Sequence, residues 1–146
     1  MARQRFRVYY FSLNQHISDV DIESLAKLRE EIIFCDLDAA YSEFHILAAL
    51  EEAVAAKKRG GKYRNLDALF MMYLTGRKQI KDAIKVAGIK LESKKFFAVC
   101  LAKGIENMPQ IAIFRKSTMI DMPIPRIEEK RDQDASWQMT RLSLNL

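Results

Sequence analysis

The order of apolar and polar residues along the chain predicts several strands. Residues 5–13, RFRVYYFSL, alternate between the two kinds, which is the pattern of a strand with one covered face. Residues 32–37, IIFCDL, and 96–102, FFAVCLA, are short unbroken apolar runs typical of buried strands. The alternation returns in residues 139–146, MTRLSLNL, and predicts a last strand.

The same pattern predicts two helices in the first half of the chain. One covers residues 18–31 and begins at a cap formed by Ser18 or Asp19. The second covers residues 42–58, with Ser42 as its cap and two lysines near its C-terminal end. Its inward stripe is predicted to consist of Phe44, Leu47, Ala48, Val54 and Ala55.

A third and a fourth helix are predicted after the glycine pair in residues 59–63, RGGKY, because two glycines interrupt a regular element. The third begins at Asn65 and buries Leu66, Leu69, Phe70 and Tyr73. The fourth lies in residues 73–90, YLTGRKQIKDAIKVAGIK, with Thr75 as its cap and Gly88 as a left-handed stop. Its inward positions are predicted to be Ile80, Ala83, Ile84 and Ala87.

The remaining segments complete an α/β fold. Residues 107–119, NMPQIAIFRKSTM, fit either a helix, which we favour, or a strand, and residues 121–134 are expected to form a loop or a mobile arm. Strands and helices interleave irregularly, which predicts a small sheet of about four strands covered by helices. With 146 residues the chain can bury one core, so we expect a single compact domain, 1–146.

Composition is typical of a globular protein without membrane contact. No apolar run approaches the ~18–20 residues of a membrane-spanning helix, and the basic and then apolar start lacks the cleavage site of a signal peptide. Cys35 and Cys100 lie in separate apolar runs without metal-ligand or disulfide spacing, so we expect two buried thiols. These features predict a cytoplasmic protein.

The chain lacks the motifs of common enzymes and of cofactor or metal sites. GxxxxGK[ST], GxGxxG, CxxC and HExxH are all missing, and neither His16 nor His45 has a partner at metal-ligand spacing. We therefore expect no catalysis, cofactor, metal or small-molecule substrate. For His45, in the first turn of the second helix, packing or capping is favoured over the alternative of general acid–base catalysis.

Positive charge is concentrated in the middle of the chain. Residues 57–95 hold twelve lysines and arginines against three acids, a net charge of +9, whereas residues 1–56 hold five against ten, or −5. Residues 96–146 hold seven against six, or +1. Positive charge confined to one segment indicates a surface that binds an anionic partner, whereas a uniform excess would indicate only a contribution to solubility.

Two parts of this basic segment predict a nucleic-acid-binding surface. Arg77, Lys81 and Lys85 recur at intervals of four and form a cationic ridge on the predicted fourth helix. Cations in a first turn oppose the helix dipole, which predicts that phosphate groups compensate them. The glycine-containing residues 57–62, KKRGGK, are predicted to form a second part of this surface, where glycines let backbone N–H groups approach an anion. The candidate phosphate-binding residues are Lys57, Lys58, Arg59, Lys62, Arg77, Lys78, Lys81 and Lys85. A solvated basic helix without a ligand is the alternative.

An apolar segment, residues 69–74, LFMMYL, allows two interpretations. Core burial is favoured because the residues are apolar nearly all round the predicted helix. A contact surface for a protein partner, formed around Met71 and Met72, is the alternative, because methionine-rich faces adapt to partners.

The ordered pattern FHILAALEEAVAAKK…LTGRKQIKDAIKVAGIK resembles the small kinase-binding accessory subunits of the KEOPS complex, in an archaeal-type form. The resemblance is carried by residues 42–90. Leu69 stands where the family usually has a glutamate, and Lys78 stands where it has an arginine, which keeps the charge but not the bidentate geometry. The matching positions are His45, Ala48, Ala53, Thr75, Gly76, Gln79, Ile80, Ala83, Ile84 and Gly88.

The resemblance implies a non-catalytic subunit that binds the small atypical kinase/ATPase of the complex. It also implies a supporting role in the threonylcarbamoyladenosine modification of tRNA and, for archaeal-type members, contact with the tRNA acceptor end. The alternative hypothesis is a general basic RNA- or ribosome-associated protein without a kinase partner.

Overall fold

The computed structural model of the protein describes residues 6–60, 65–101 and 112–121. The α/β class and the four-stranded sheet predicted from the sequence are confirmed. In chain order the elements are β1 (Arg7–Leu13), α1 (Asp19–Ala26), β2 (Ile32–Asp36), a short 3-10 helix (Leu37–Ala39), α2 (Glu43–Lys58), α3 (Leu66–Thr75), α4 (Ile80–Ala87), β3 (Lys95–Cys100), α5 (Ala112–Arg115) and β4 (Ser117–Ile120).

The described residues fall into two compact units. The sheet unit consists of the residues up to Leu37 together with Ile89–Asp121, and it contains all four strands with α1 and α5. The helical unit consists of residues 38–88 and contains α2, α3 and α4. The predicted second, third and fourth helices therefore form one unit of their own.

Four antiparallel strands form the sheet in the order β2-β3-β1-β4. On one face Phe11, Phe34 and Phe96 form an aromatic core against Leu25 of α1 and Ile113 of α5. The rings of Phe11 and Phe96 stack with 4.8 Å between their centroids. The strand residues and the two helices of the sheet unit thus share one apolar layer.

The opposite face of the sheet is buried as well. Ile33 and Cys35 of β2 and Phe97 and Val99 of β3 are at most 1% exposed. Because both faces of these strands are covered, their sequences are apolar without alternation, as predicted. Cys35 and Cys100 are buried thiols that form no disulfide, which confirms the expectation for the two cysteines.

α1 begins where the sequence predicts but ends well before residue 31. After Ala26, the N–H of Leu28 donates to the carbonyl of Leu25, and the N–H of Glu31 donates to the carbonyl of Leu28. These bonds span three residues, so the chain passes through tight turns into β2 instead of continuing the helix.

The predicted helix at residues 107–119 is right only in part. α5 covers Ala112–Arg115, and the residues after it form β4, which pairs with β1 and places Met119 opposite Phe11. The predicted last strand, residues 139–146, and the predicted loop after Asp121 lie outside the described residues.

α2 buries a different stripe from the predicted one. Its buried residues are His45, Ile46, Ala49, Leu50, Ala53 and Ala56, whereas Phe44 is 56% exposed and Leu47 is 40% exposed. The predicted inward stripe is therefore wrong, since two of its five members are exposed and the other three are only partly buried. The cause is that α2 is apolar on both sides, so periodicity alone does not choose between them.

α3 is buried over almost its whole length. Residues 68–74 are all buried, which confirms the core interpretation of LFMMYL and leaves Met71 and Met72 unable to form a contact surface. Asn65 is the N-cap, and Gly76, with φ of 71°, is the left-handed C-cap. A left-handed residue at this position ends a helix and favours glycine.

The predicted start of the fourth helix is wrong, whereas Gly88 is its C-cap, as predicted, although not in the predicted left-handed conformation. Thr75 is the last residue of α3, and its hydroxyl donates to the carbonyl of Met71 at 2.8 Å. α4 begins only at Ile80, with Gln79 as N-cap. Gly88 is extended rather than left-handed; it is required because an added Cβ would lie 2.6 Å from the carbonyl oxygen of Ile84.

No helix in the described parts of the chain is long and apolar enough to cross a membrane.

The cap of α1 generates a prediction about acid stability. The Ser18 hydroxyl and the Asp21 carboxylate accept each other's backbone N–H, and Lys116 Nζ donates to Asp21 Oδ2 at 2.7 Å. The hydrogen bond from Lys116, followed by that from the Ser18 N–H, holds the pKa of Asp21 below its ordinary value of 3.8. A carboxyl with a lowered pKa stabilises the fold above its ordinary pKa, and this contribution is lost as the pH falls through the folded value.

We therefore expect Asp21→Asn to lower the free energy of unfolding at pH 7 by about 1–3 kcal/mol, and the difference from wild type to shrink below about pH 4. Urea unfolding over this pH range measures both. The control is Asp19→Asn, which removes an exposed carboxylate from the same first turn. An equal loss in the two variants would contradict the role of the Lys116 contact.

Candidate functional site

His45 connects α2 with α3. Its Nδ1 accepts the backbone N–H of Tyr41 at 3.0 Å, and its Nε2 lies 2.9 Å from the carbonyl oxygen of Leu74. Because Nδ1 accepts, Nε2 must carry the proton and donate to Leu74. The ring also stacks on that of Tyr41, and its backbone N–H donates to the Ser42 hydroxyl, which confirms the predicted cap. The favoured interpretation of His45 as a packing and capping residue is confirmed, because both ring nitrogens are engaged with backbone groups.

The contact between His45 and Leu74 fixes the direction of the two helices. His45 lies in the first turn of α2 and Leu74 in the last turn of α3, and the two helices pack on each other. They therefore run antiparallel. Lys58, at the other end of α2, is about 20 Å from this junction at 1.5 Å per residue.

This arrangement divides the predicted basic residues into two groups. One group lies at the C-terminal end of α2, and the other lies beyond the end of α3 and on α4. The basic end group consists of Lys57, Lys58 and Arg59, and the basic junction group consists of Arg77, Lys78, Lys81 and Lys85. Lys62 lies outside the described residues. All seven described side chains belong to exposed residues, and none has an ion pair or hydrogen bond to another described residue.

Arg77 and Lys78 are not in the first turn of a helix. They lie in the connection between Gly76 and Gln79, where the Arg77 backbone N–H donates to the Thr75 hydroxyl. Opposition to a helix dipole therefore does not explain them. The predicted ridge is also shorter than expected, because only Lys81 and Lys85 share α4. The structure thus shows a set of exposed cations on the helical unit that have no partner among the described residues, and their role in binding nucleic acid stays a prediction.

Sequence reasoning missed an exposed apolar stripe on α2. Phe44 and Leu47 are exposed, and Ala48, Val54 and Ala55 are partly buried. We call these five residues, together with Glu51 at their centre, the outer stripe of α2. The sequence carries a signal for it, because α2 has two apolar stripes and one of them must remain outside the core, but periodicity does not show which one.

The positions that match the family pattern have mostly structural roles. Ala83 is fully buried, Ile80 is partly buried, and Gly76 and Gly88 are required by backbone geometry. Gln79 is the exposed N-cap of α4, and its side chain makes no capping hydrogen bond. Ile84, predicted to point inward, is 48% exposed instead. Its exposure follows from the burial of Ala83 and Ala87, which defines the inner side of this two-turn helix.

No group of three or more histidine, cysteine or acidic side chains that could hold a metal ion is found among the described residues.

Comparison with known families gives one finding. The family model described as "Kinase binding protein CGI-121" matches residues 9–134, most of the chain. A comparison with curated proteins gives no match.

The geometry of His45 predicts a structural phenotype. His45→Ala removes the partners of the buried Leu74 carbonyl and the partly buried Tyr41 N–H, at a cost of roughly 1–3 kcal/mol for a fully buried unsatisfied group, and it leaves a cavity. We expect a loss of about 2–5 kcal/mol in the free energy of unfolding, measured by chemical denaturation.

His16→Ala is the matched control, because the other histidine of the chain is exposed, and a change within about 0.5 kcal/mol is expected there. A His45→Ala protein as stable as wild type would contradict the structural role.

Proposed function

Since the chain belongs to the CGI-121 family of kinase-binding proteins, we propose that it is a non-catalytic accessory subunit of the KEOPS complex, of the archaeal type. In this function it binds the small atypical kinase/ATPase of the complex and tRNA in the cytoplasm, and it supports threonylcarbamoyladenosine modification of the tRNA. The kinase-binding role rests on the family. The proposals that the complex is KEOPS and that the chain is of the archaeal type rest on the resemblance of residues 42–90. The proposal that it binds tRNA rests on that resemblance and on the exposed basic groups described above.

The outer stripe of α2 is the observation that carries the kinase-binding proposal. It exposes a phenylalanine and a leucine one turn apart, on a helix whose other side already fills the core of the helical unit. Exposed apolar side chains grouped on one face mark contact surfaces, and a few large apolar side chains commonly supply most of the binding energy of an interface. A helix presented in this way suits a groove or a flat apolar face of the kinase.

The basic end group and the basic junction group support the RNA part of the proposal. Their side chains have no anionic partner among the described residues, so their charge is available to phosphates. Contacts of this kind supply affinity without sequence recognition. The tRNA acceptor end is the proposed ligand. The general RNA-associated protein is less favoured, because it does not account for a match to a kinase-binding family over most of the chain.

The kinase interface is tested by the double variant Phe44→Ser with Leu47→Ser. Both side chains are exposed, so we expect a nearly unchanged melting temperature but at least a roughly 30-fold weaker affinity for the purified small KEOPS kinase of the same organism. Isothermal titration calorimetry measures the change. The control is Val20→Ser with Leu91→Ser, which removes two apolar side chains of the sheet unit that are at least as exposed as Phe44 and Leu47. Unchanged affinity of the Phe44/Leu47 variant would refute the assignment of the outer stripe.

The RNA interface is tested by Arg77→Glu with Lys78→Glu. Each lost phosphate contact lowers the slope of log affinity against log salt by ~0.7–0.9, so two lost contacts should lower it by roughly 1.4–1.8. Filter binding to tRNA between low and moderate salt measures the slope. Lys94→Glu with Lys95→Glu is the matched control, an adjacent pair of exposed lysines in the sheet unit. A flat salt response of the wild type, or the same slope in both variants, would remove the RNA part of the proposal.

A further inference from the structure

One charged residue lies at the centre of the outer stripe of α2. Glu51 is exposed, and its neighbours one turn away on the same side are Leu47 and Ala48 towards the N-terminus and Val54 and Ala55 towards the C-terminus. Every side chain next to it on this side of the helix is therefore apolar. An acid in this position is not needed for the helix, since Glu51 lies far from the N-terminal turn where a carboxylate would favour the dipole.

The Glu51 carboxylate has no partner within the described protein. Neither an ion pair nor a hydrogen bond joins it to another described residue, and the positions three and four residues away cannot supply a cation. Glu52, the next residue, points aside from the stripe and does have an interaction of its own. Glu51 is thus a solvated charge only as long as the stripe faces water.

Binding of a partner to the stripe removes that water. A carboxylate taken out of water without a partner costs several kcal/mol, which would cancel much of the gain from covering Phe44 and Leu47. The cost is offset only if the partner brings a cation with suitable geometry. The planar guanidinium of arginine fits best, because it can donate two parallel hydrogen bonds to one carboxylate.

We propose that the kinase surface that covers the outer stripe of α2 presents a basic side chain, most favourably an arginine, to Glu51, and that this ion pair determines which kinase is accepted. The inference rests on the proposed function, because it takes the kinase as the occupant of the stripe. Kinases that offer an apolar surface alone are rejected, since they would bury the carboxylate unpaired.

The same charge pattern gives the interface a direction. Along the stripe the acid lies in the middle, and Lys58, on the same side two turns later, lies at the C-terminal end. Turning the kinase end to end about Glu51 keeps this central contact, but it brings the kinase group that had faced the apolar end of the stripe at Phe44 against Lys58 instead. One orientation on the helix is therefore favoured over its reverse.

The test compares three proteins that differ by charge. Glu51→Arg opposes the cation of the kinase, and we expect at least a roughly 30-fold loss of affinity for the purified small KEOPS kinase of the same organism, mainly through a faster off-rate. Glu51→Gln removes the charge without opposing the cation, so it should also weaken binding through a faster off-rate, but less than Glu51→Arg does. Glu23→Arg, at an exposed glutamate on α1, makes the same change in net charge and should bind as wild type does.

The Phe44→Ser/Leu47→Ser variant, measured alongside, separates the two proposals. If it binds weakly while Glu51→Arg binds as wild type does, the stripe is the kinase site and the ion pair is refuted. If both variants bind as wild type does, the kinase docks elsewhere, and the assignment of the outer stripe and the ion pair are both refuted. Restored affinity between Glu51→Arg and a kinase with one interface arginine changed to glutamate would identify the partner side chain. Failure of every such change to restore binding would overturn the proposal.

Discussion

The arrangement of the helical unit depends on one hydrogen-bonded histidine. His45 accepts a backbone N–H with one ring nitrogen and donates to the carbonyl of Leu74 with the other, and each of these backbone groups would be costly to bury without a partner. The ring therefore fixes the start of α2 against the end of α3 and sets which side of α2 turns inward. Since His45 faces α3, its neighbours Phe44 and Leu47 face outward. The connection that carries Arg77 begins directly after the same junction. The orientation of the outer stripe and the place where the basic junction group begins thus depend on one buried contact.

The sequence predicts most of the elements, but not β4, the end of α1, the start of α4 or the side that α2 buries. β2 and β3 are recognisable because strands buried on both sides are apolar without interruption, and Ser18 and Ser42 mark helix starts by hydrogen-bond chemistry that is local to the chain. The side of α2 that is buried could not be predicted, because that choice is made by a contact between residues far apart in sequence. The start of α4 failed for a related reason. A threonine followed by glycine fits a helix start or a helix end, and only the left-handed backbone of Gly76 decides between them.

The residues that carry the family resemblance and the residues proposed to bind partners are largely different. His45, Gly76, Ala83 and Gly88 hold the backbone in place through a hydrogen bond, a left-handed cap or a close approach that larger side chains would block. Such positions define a fold that presents α2 and the connection after α3 in fixed places. The partner-specific chemistry is then free to vary on the surface between them, as the charge of Glu51 within an apolar stripe illustrates.

The two proposed interfaces rely on different physics and can therefore be separated by salt. Kinase binding through the outer stripe of α2 depends on apolar burial, which salt affects little, plus one ion pair that would be shielded within the interface. RNA binding depends on exposed cations and weakens steeply as salt rises. In the proposed arrangement the two surfaces meet at Lys58, which belongs to the basic end group and lies just beyond the C-terminal end of the outer stripe. The basic junction group lies about 20 Å away along α2. A kinase seated on the stripe would therefore cover at most one side of the basic surface and leave the cations beyond α3 accessible to RNA, so the subunit could hold both partners at once.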